Sequence, residues 1–184
     1  MEYNLEWLLE RQAQGEKVKY LFFWGHQPRK DGTIGESCFS QWWQSPFKVE
    51  GTVYKTAEHW TMAGKARLFG DEAHLVQVVK ANSPAEAKKI GRLVEGFDAK
   101  QWDRHKYALV VQGNIHKFSQ HPGLKTFLLS TGDRVLVEAS PVDRIWGIGL
   151  AKTDALVSNP AQWKGENLLG FALMEVRDQL GDQA

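Results

Sequence analysis

In the stretch Tyr54-Lys-Thr-Ala-Glu58-His-Trp-Thr-Met-Ala-Gly-Lys65-Ala66, a carboxylate and an amine stand seven residues apart. Ala57, Ala63 and Ala66 favour a helix, and no proline interrupts the run. Seven residues make close to two helical turns, so Glu58 and Lys65 point the same way with Met62 between them. They lie about 10 Å apart along the axis, too far for a direct ion pair. Such a pair can divide acid, base and nucleophile work on a molecule lying along the helix. Read without the rest of the chain, the pattern is a solvated face with two unrelated charges, and that is the plainer reading of this stretch alone.

Other places hold chemistry-bearing residues. Arg29 and Lys30 sit in a loop over 25–37, and either side chain could meet a phosphate; for Lys30 solvent is the simpler partner. Glu138 and Asp143 are candidate acids beside Ser140-Pro-Val-Asp-Arg-Ile-Trp-Gly-Ile-Gly-Leu150. Gly147 and Gly149 in that segment would let backbone come close to a ligand. The chain has eight tryptophans. Most should pack, because an aromatic ring buries a large area, and one or two should stack on a flat ring of a ligand.

Several chemistries are excluded. The lone Cys38 allows no internal disulfide and reads as a small buried residue. No Cys pair or His-Glu-x-x-His run offers a zinc site, and the six histidines show no ligand spacing, so no metal is expected. Most of the histidines read as surface residues. A phosphate-binding P-loop and a Gly-x-Ser-x-Gly elbow are both missing. Gly147-Ile-Gly149 lacks the third glycine and following helix of a dinucleotide fingerprint. The net charge of +1 argues against a strong electrostatic grip on a nucleic-acid backbone. No apolar run approaches the ~20 residues of a membrane span. The first residues do not resemble a signal peptide, so a cytoplasmic location is expected.

The elements that must position these residues follow from local signals. Residues 5–14 suggest a short helix with Leu5, Leu8 and Leu9 on one side and Gly15 as its stop. Tyr20–Trp24 reads as a buried strand, and residues 49–53 as a hairpin turning at Glu50-Gly51. Thr56 is the expected N-cap of the Glu58 helix. Helix then continues over Leu75–Lys80 to Asn82. Ser83-Pro-Ala-Glu86 has the form of a capping box, with Ala87, Ile90 and Val94 as the apolar face and Gly96 as the stop. Asp98 caps a helix holding Trp102, Tyr107, Val110, Val111, Ile115 and Phe118, and Pro122 starts another. Arg134–Ala139 is the clearest strand. The final helix buries Leu169, Ala172, Leu173, Val176 and Leu180, leaving Arg177 and Asp178 in solvent. The length suits one core. The expected architecture is α+β: a single compact, predominantly helical domain over residues 1–184 with a small β-sheet.

The motifs taken together resemble a known family. Thr56-Ala-Glu58-His-Trp60, Lys65-Ala66, Trp102, Lys117-Phe-Ser-Gln120, Leu129-Ser-Thr-Gly-Asp133, Leu136-Val-Glu-Ala-Ser140, Asp143, Trp146-Gly-Ile-Gly-Leu150, Trp163-Lys-Gly-Glu-Asn167-Leu-Leu-Gly170 and Leu173-Met-Glu-Val-Arg177 follow the order seen in the NADAR, or YbiA-like, family. The likeness runs from about Phe22 to Leu180. Each piece alone is weak; their number and order are specific.

The resemblance implies an N-glycosidase acting on ribosyl compounds. Such substrates include phosphoribosylamino intermediates of riboflavin synthesis and ADP-ribose attached to guanine. It implies a small ribosyl-phosphate or ADP-ribosyl partner, with ADP-ribosylated nucleic acid as a further one, and no cofactor. By position it makes Glu58, Lys65 and Asp143 catalytic, and Trp102, Trp146, Gly147, Arg29 and Asn167 substrate-binding. Ser40-Gln-Trp-Trp43 departs from the Ser-Asn-Phe-like turn usual in the family, so Gln41 and Trp42 could alter the substrate edge. A competing class is a non-catalytic module that binds ADP-ribose or a nucleotide; the presence of Glu58, Lys65 and Asp143 together speaks against it. A surface interaction protein would need the tryptophans exposed as a patch.

Overall fold

Polar caps set most of the helix starts. A computed structural model describes residues 2–182. In chain order the elements are α1 (Leu5–Ala13), β1 (Tyr20–Phe23), a 3₁₀ turn (Glu36–Phe39), β2 (Phe47–Val49), β3 (Thr52–Tyr54), α2 (Ala57–Leu68), α3 (Glu72–Lys80), α4 (Pro84–Gly91), α5 (Ala99–Gln120), α6 (Pro122–Leu129), β4 (Val135–Glu138), a 3₁₀ turn (Pro160–Gln162) and α7 (Leu168–Gly181). The side chains of Asn4, Thr56, Asp71, Ser83 and Asp98 each accept a hydrogen bond from a backbone N–H in the first turn of the following helix. Such caps satisfy donors that the helix leaves without intrahelical partners. The chain is α+β and predominantly helical, as the sequence predicts.

The strands form two separate two-stranded pieces rather than one sheet. β1 pairs in parallel with β4, Tyr20 opposite Val135 and Phe23 opposite Glu138. β2 and β3 form the expected hairpin, and Glu50 (φ 48°) and Gly51 (φ 84°) both adopt the positive φ that a tight two-residue turn requires.

Two compact units are present: Met1–Ser40 with Gly123–Ala184, and Gln41–Pro122. In the first, α7 packs on β4, and the buried faces hold Phe23, Phe39, Leu128, Leu136, Val137, Phe171, Leu173 and Val176. Trp7 meets Phe171 edge-on, and Trp163 meets Tyr20 in the same way. In the second, α2 is surrounded by α3, α4 and α5. Its residues are buried on nearly every side, so it is the axis of that unit.

Several boundaries differ from expectation. β1 is buried only at Phe23, and Trp24 lies outside it, 57% exposed. The helix after α2 does not run on: Gly70 takes φ 70° and Asp71 caps a new start. α4 ends at Gly91, one turn early, and Glu86 accepts from the Asn82 N–H rather than from that of Ser83. On α1 only Leu8 is buried. Arg177 is buried, its guanidinium donating to the Thr131 hydroxyl and the Arg134 carbonyl. His59 is also buried.

Candidate active site

In the second unit the site residues are placed by the packing of α2. The Thr56 hydroxyl accepts from the His59 backbone N–H and lies 2.8 Å from His59 Nδ1. Across the ring, His59 Nε2 is 3.2 Å from the Ala81 carbonyl. Burial lowers the His59 pKa, so the neutral imidazole donates through Nε2 and accepts at Nδ1 from the Thr56 hydroxyl. The Glu58 N–H donates to the Gln41 carbonyl at 3.0 Å. The Gln41 side chain makes a paired amide–amide contact with Asn114 of α5, 3.1 Å in both directions. Gln41 thus ties the start of α2 to α5. Trp60 is a core residue: its indole N–H donates to the Leu109 carbonyl, and its ring fills the space left by the missing side chain of Gly113.

Glu58 is 7% exposed, which overturns the reading of a solvated face. Lys65 is half-buried and does not point into open water. Its Nζ donates to the Gly91 carbonyl at 2.7 Å and lies 4.2 Å from the centre of the Phe97 ring. The Trp102 ring is the next aromatic face, 5.8 Å away. Desolvation lowers the Lys65 pKa. Lys65 thus has Gly91, Phe97 and Trp102 around its amine. Neither Gly91 nor Phe97 carries a motif in the sequence; only their location between the α4 and α5 capping motifs points to them.

In the first unit the segment after β4 is stiffened by its own polar groups. Ser140 Oγ accepts from the Asp143 N–H at 3.1 Å. Asp143 Oδ1 accepts from the N–H groups of Ile145 (2.9 Å) and Trp146 (2.8 Å). The segment is then laced to the start of α7: the N–H groups of Asn167, Leu168 and Leu169 donate to the carbonyls of Gly147, Ile145 and Trp146. Asp143 and Trp146 are thereby fixed beside each other, both half-buried.

Three expected substrate contacts are occupied by the protein itself. Asn167 is fully buried in the left-handed region (φ 56°); its Oδ1 accepts from the Glu138 N–H and its Nδ2 donates to the Leu136 carbonyl, both at 2.9 Å. Its amide is a clamp on β4. A side chain at Gly147 would come within 2.9 Å of the Glu138 carbonyl, so that glycine admits the protein's own backbone. Gly149 similarly faces Lys164 and Arg144. Arg29 is exposed and paired with Glu36 at 2.7 Å, which also lies 3.8 Å from Lys152. Its own backbone N–H and then Arg29 hold the Glu36 carboxyl below the usual range. Among the described residues no cluster of His, Cys, Asp and Glu could hold a metal ion, and no helix is long and apolar enough to cross a membrane.

This chain has known counterparts. The family model described as the NADAR domain matches residues 22–181. An N-glycosidase of Acanthamoeba polyphaga mimivirus is 41% identical over 169 residues, spanning 89% of this chain and 98% of that protein. The N-glycosidase YbiA of Escherichia coli is 34% identical over 144 residues, 78% of this chain and 79% of YbiA. The NMR structure of Escherichia coli YbiA superposes with a TM-score of 0.71 at 29% identity, covering 91% of this chain and 88% of that one. The chain belongs to the NADAR family. These relatives are N-glycosidases, hydrolases of N-glycosyl compounds.

Proposed function

We propose that this chain is an N-glycosidase that hydrolyses the C–N bond joining ribose to a nitrogenous leaving group, with Glu58, Lys65 and Asp143 as its catalytic residues. The observation that carries the reading is the state of helix α2. One face bears a buried carboxylate, Glu58, and two turns on an amine whose pKa is depressed by desolvation. A lysine so placed holds more of its neutral, nucleophilic form at working pH than an exposed one.

The chemistry follows. Breaking the ribosyl C–N bond builds positive charge at C1, which a nearby carboxylate stabilises. The leaving nitrogen takes a proton as the bond electrons move to it. In the lysine route the Lys65 amine adds at C1. The ring oxygen then leaves C1 as a hydroxyl, so that an imine joins Lys65 to the opened sugar. Water adds to the imine carbon and returns the free amine and the free sugar. Trp102 and Trp146 stack on the flat groups of the substrate, and Arg29 exchanges its Glu36 partner for a phosphate. The preferred substrates are a phosphoribosylamino-pyrimidine or ADP-ribose linked to guanine. The protein acts as a soluble cytoplasmic enzyme without a cofactor.

The test is to incubate the pure protein with a phosphoribosylamino-pyrimidine and, separately, with an ADP-ribosylated guanine oligonucleotide. Released base is followed by chromatography, and parallel samples are reduced with borohydride. Base release from one substrate, with a reduced sugar adduct mapped to Lys65, supports the proposal. Binding of ADP-ribose without release from either substrate would replace it with a non-catalytic module.

A further inference from the structure

Lys65 is held by a set of groups that lie outside the catalytic list. Its amine meets the Gly91 carbonyl at the last residue of α4. That carbonyl lies at the negative end of the helix and has no intrahelical partner one turn on, so it suits a cation. A side chain at position 91 would overlap Met62, the residue between Glu58 and Lys65 on α2, so glycine suits this position. Phe97 then covers the amine, with its ring centre 4.2 Å from Nζ. Phe97 is 47% exposed, unusual for a ring of this size, and it is steadied by an edge-to-face contact with Phe69 at 5.4 Å. An aromatic face over an ammonium attracts it through the ring quadrupole and also keeps water from it.

We propose that Phe97 is the positioning residue for Lys65: its ring and the Gly91 carbonyl fix the direction of the amine and screen it from bulk water. This rests on the reading of Lys65 as the catalytic amine. Phe97 acts through Lys65 and needs no contact with the substrate. It also explains why a half-exposed phenylalanine stands in the short connection between α4 and α5, where a polar residue would be at home. The charged groups on the same helix are Glu58, toward its start, and Arg67, whose guanidinium turns instead to the Tyr54 hydroxyl. Desolvation is the cause that acts on the Lys65 amine, so removing the cover and removing a charge have different effects.

The experiment uses the full chain with Phe97→Ala and Phe97→Tyr. Acetylation of Lys65 by acetic anhydride is read by mass spectrometry across a pH series, which reports the amine without needing turnover. Steady-state rates are measured beside it on whichever ribosyl substrate the wild type cleaves. In Phe97→Ala the acetylation midpoint moves up toward that of an exposed lysine. The kcat falls roughly ten- to a hundredfold through misdirection of the amine, with KM within about twofold. Phe97→Tyr, which keeps the ring, restores both values. An unchanged acetylation midpoint and kcat in Phe97→Ala would overturn the proposal. A moved midpoint in a protein whose wild type cleaves no ribosyl substrate would instead overturn the catalytic reading while leaving the contact between Phe97 and Lys65 intact.

Discussion

Helix α2 and the segment after β4 both carry candidate catalytic side chains, and they hold them in opposite ways. On α2 the holding is done by neighbours. Thr56, His59, Gln41 and Trp60 make the bonds that fix the helix, and the Gly91 carbonyl and the Phe97 ring hold the Lys65 amine. After β4 the candidates hold themselves. Asp143 caps its own turn and Asn167 clamps the strand that precedes it. A substitution on α2 can therefore remove chemistry and leave the fold. In the loop the same kind of substitution tends to remove both.

The largest stability effect is expected at Asn167. Asn167→Ala strips partners from two backbone groups beside a fully buried residue and places alanine at φ 56°. Each buried group left without a partner costs about 1–3 kcal/mol, so a loss of roughly 3–5 kcal/mol is expected in urea unfolding. A change near zero would mean that the amide does not serve as a structural clamp.

Gly147→Ala comes next. The added methyl meets the Glu138 carbonyl and Ser140 Cβ at 2.9 Å, neighbours that cannot swing away. A loss of about 1–3 kcal/mol is expected, as for overpacking elsewhere. The melting temperature checks it.

Asp143 separates the two roles within one residue. Asp143→Asn keeps an oxygen to accept from Ile145 and Trp146, so stability should stay within about 1 kcal/mol of the wild type. The charge is gone, and base release should fall by roughly a hundredfold or more. Asp143→Ala should lose stability as well. Equal activity in Asp143→Asn and the wild type would confine Asp143 to holding the loop.

The smallest effect concerns pH. Burial holds His59 below its ordinary value of 6.5. As pH falls below 6.5 the unfolded chain takes up a proton that the folded chain refuses, so stability declines until the folded value is reached and is flat above 6.5. Urea titrations between about pH 7.5 and pH 5 measure that slope. It should shrink in His59→Gln.

Much of this was legible in the sequence because short-range chemistry decides it. Asp98, Ser83 and Thr56 announce helix starts through bonds made within three residues, and Glu50-Gly51 announces its turn through backbone sterics. The pairing of Glu58 with Lys65 follows from helical spacing alone. What could not be read depends on contacts far apart in sequence. Asn167 reaches back 31 residues to Leu136, Arg177 reaches 46 to Thr131, and Gln41 reaches 73 to Asn114. A polar side chain in a motif reads equally as a ligand or as a buried clamp until its partner is known. The division into two units was also hidden, since no linker composition marks Ser40-Gln41 or Pro122-Gly123. Phe97 is not marked in the sequence, because an aromatic residue in a connection has no periodicity to place it.

The most direct measurement is the initial rate of base release from the ribosyl substrates by the wild type, Glu58→Gln and Lys65→Ala side by side, with circular dichroism to confirm the fold of each. Release by the wild type that drops by roughly a thousandfold in both folded variants is the predicted result. Release that persists at the wild-type rate in either folded variant would contradict the assignment of the chemistry to helix α2.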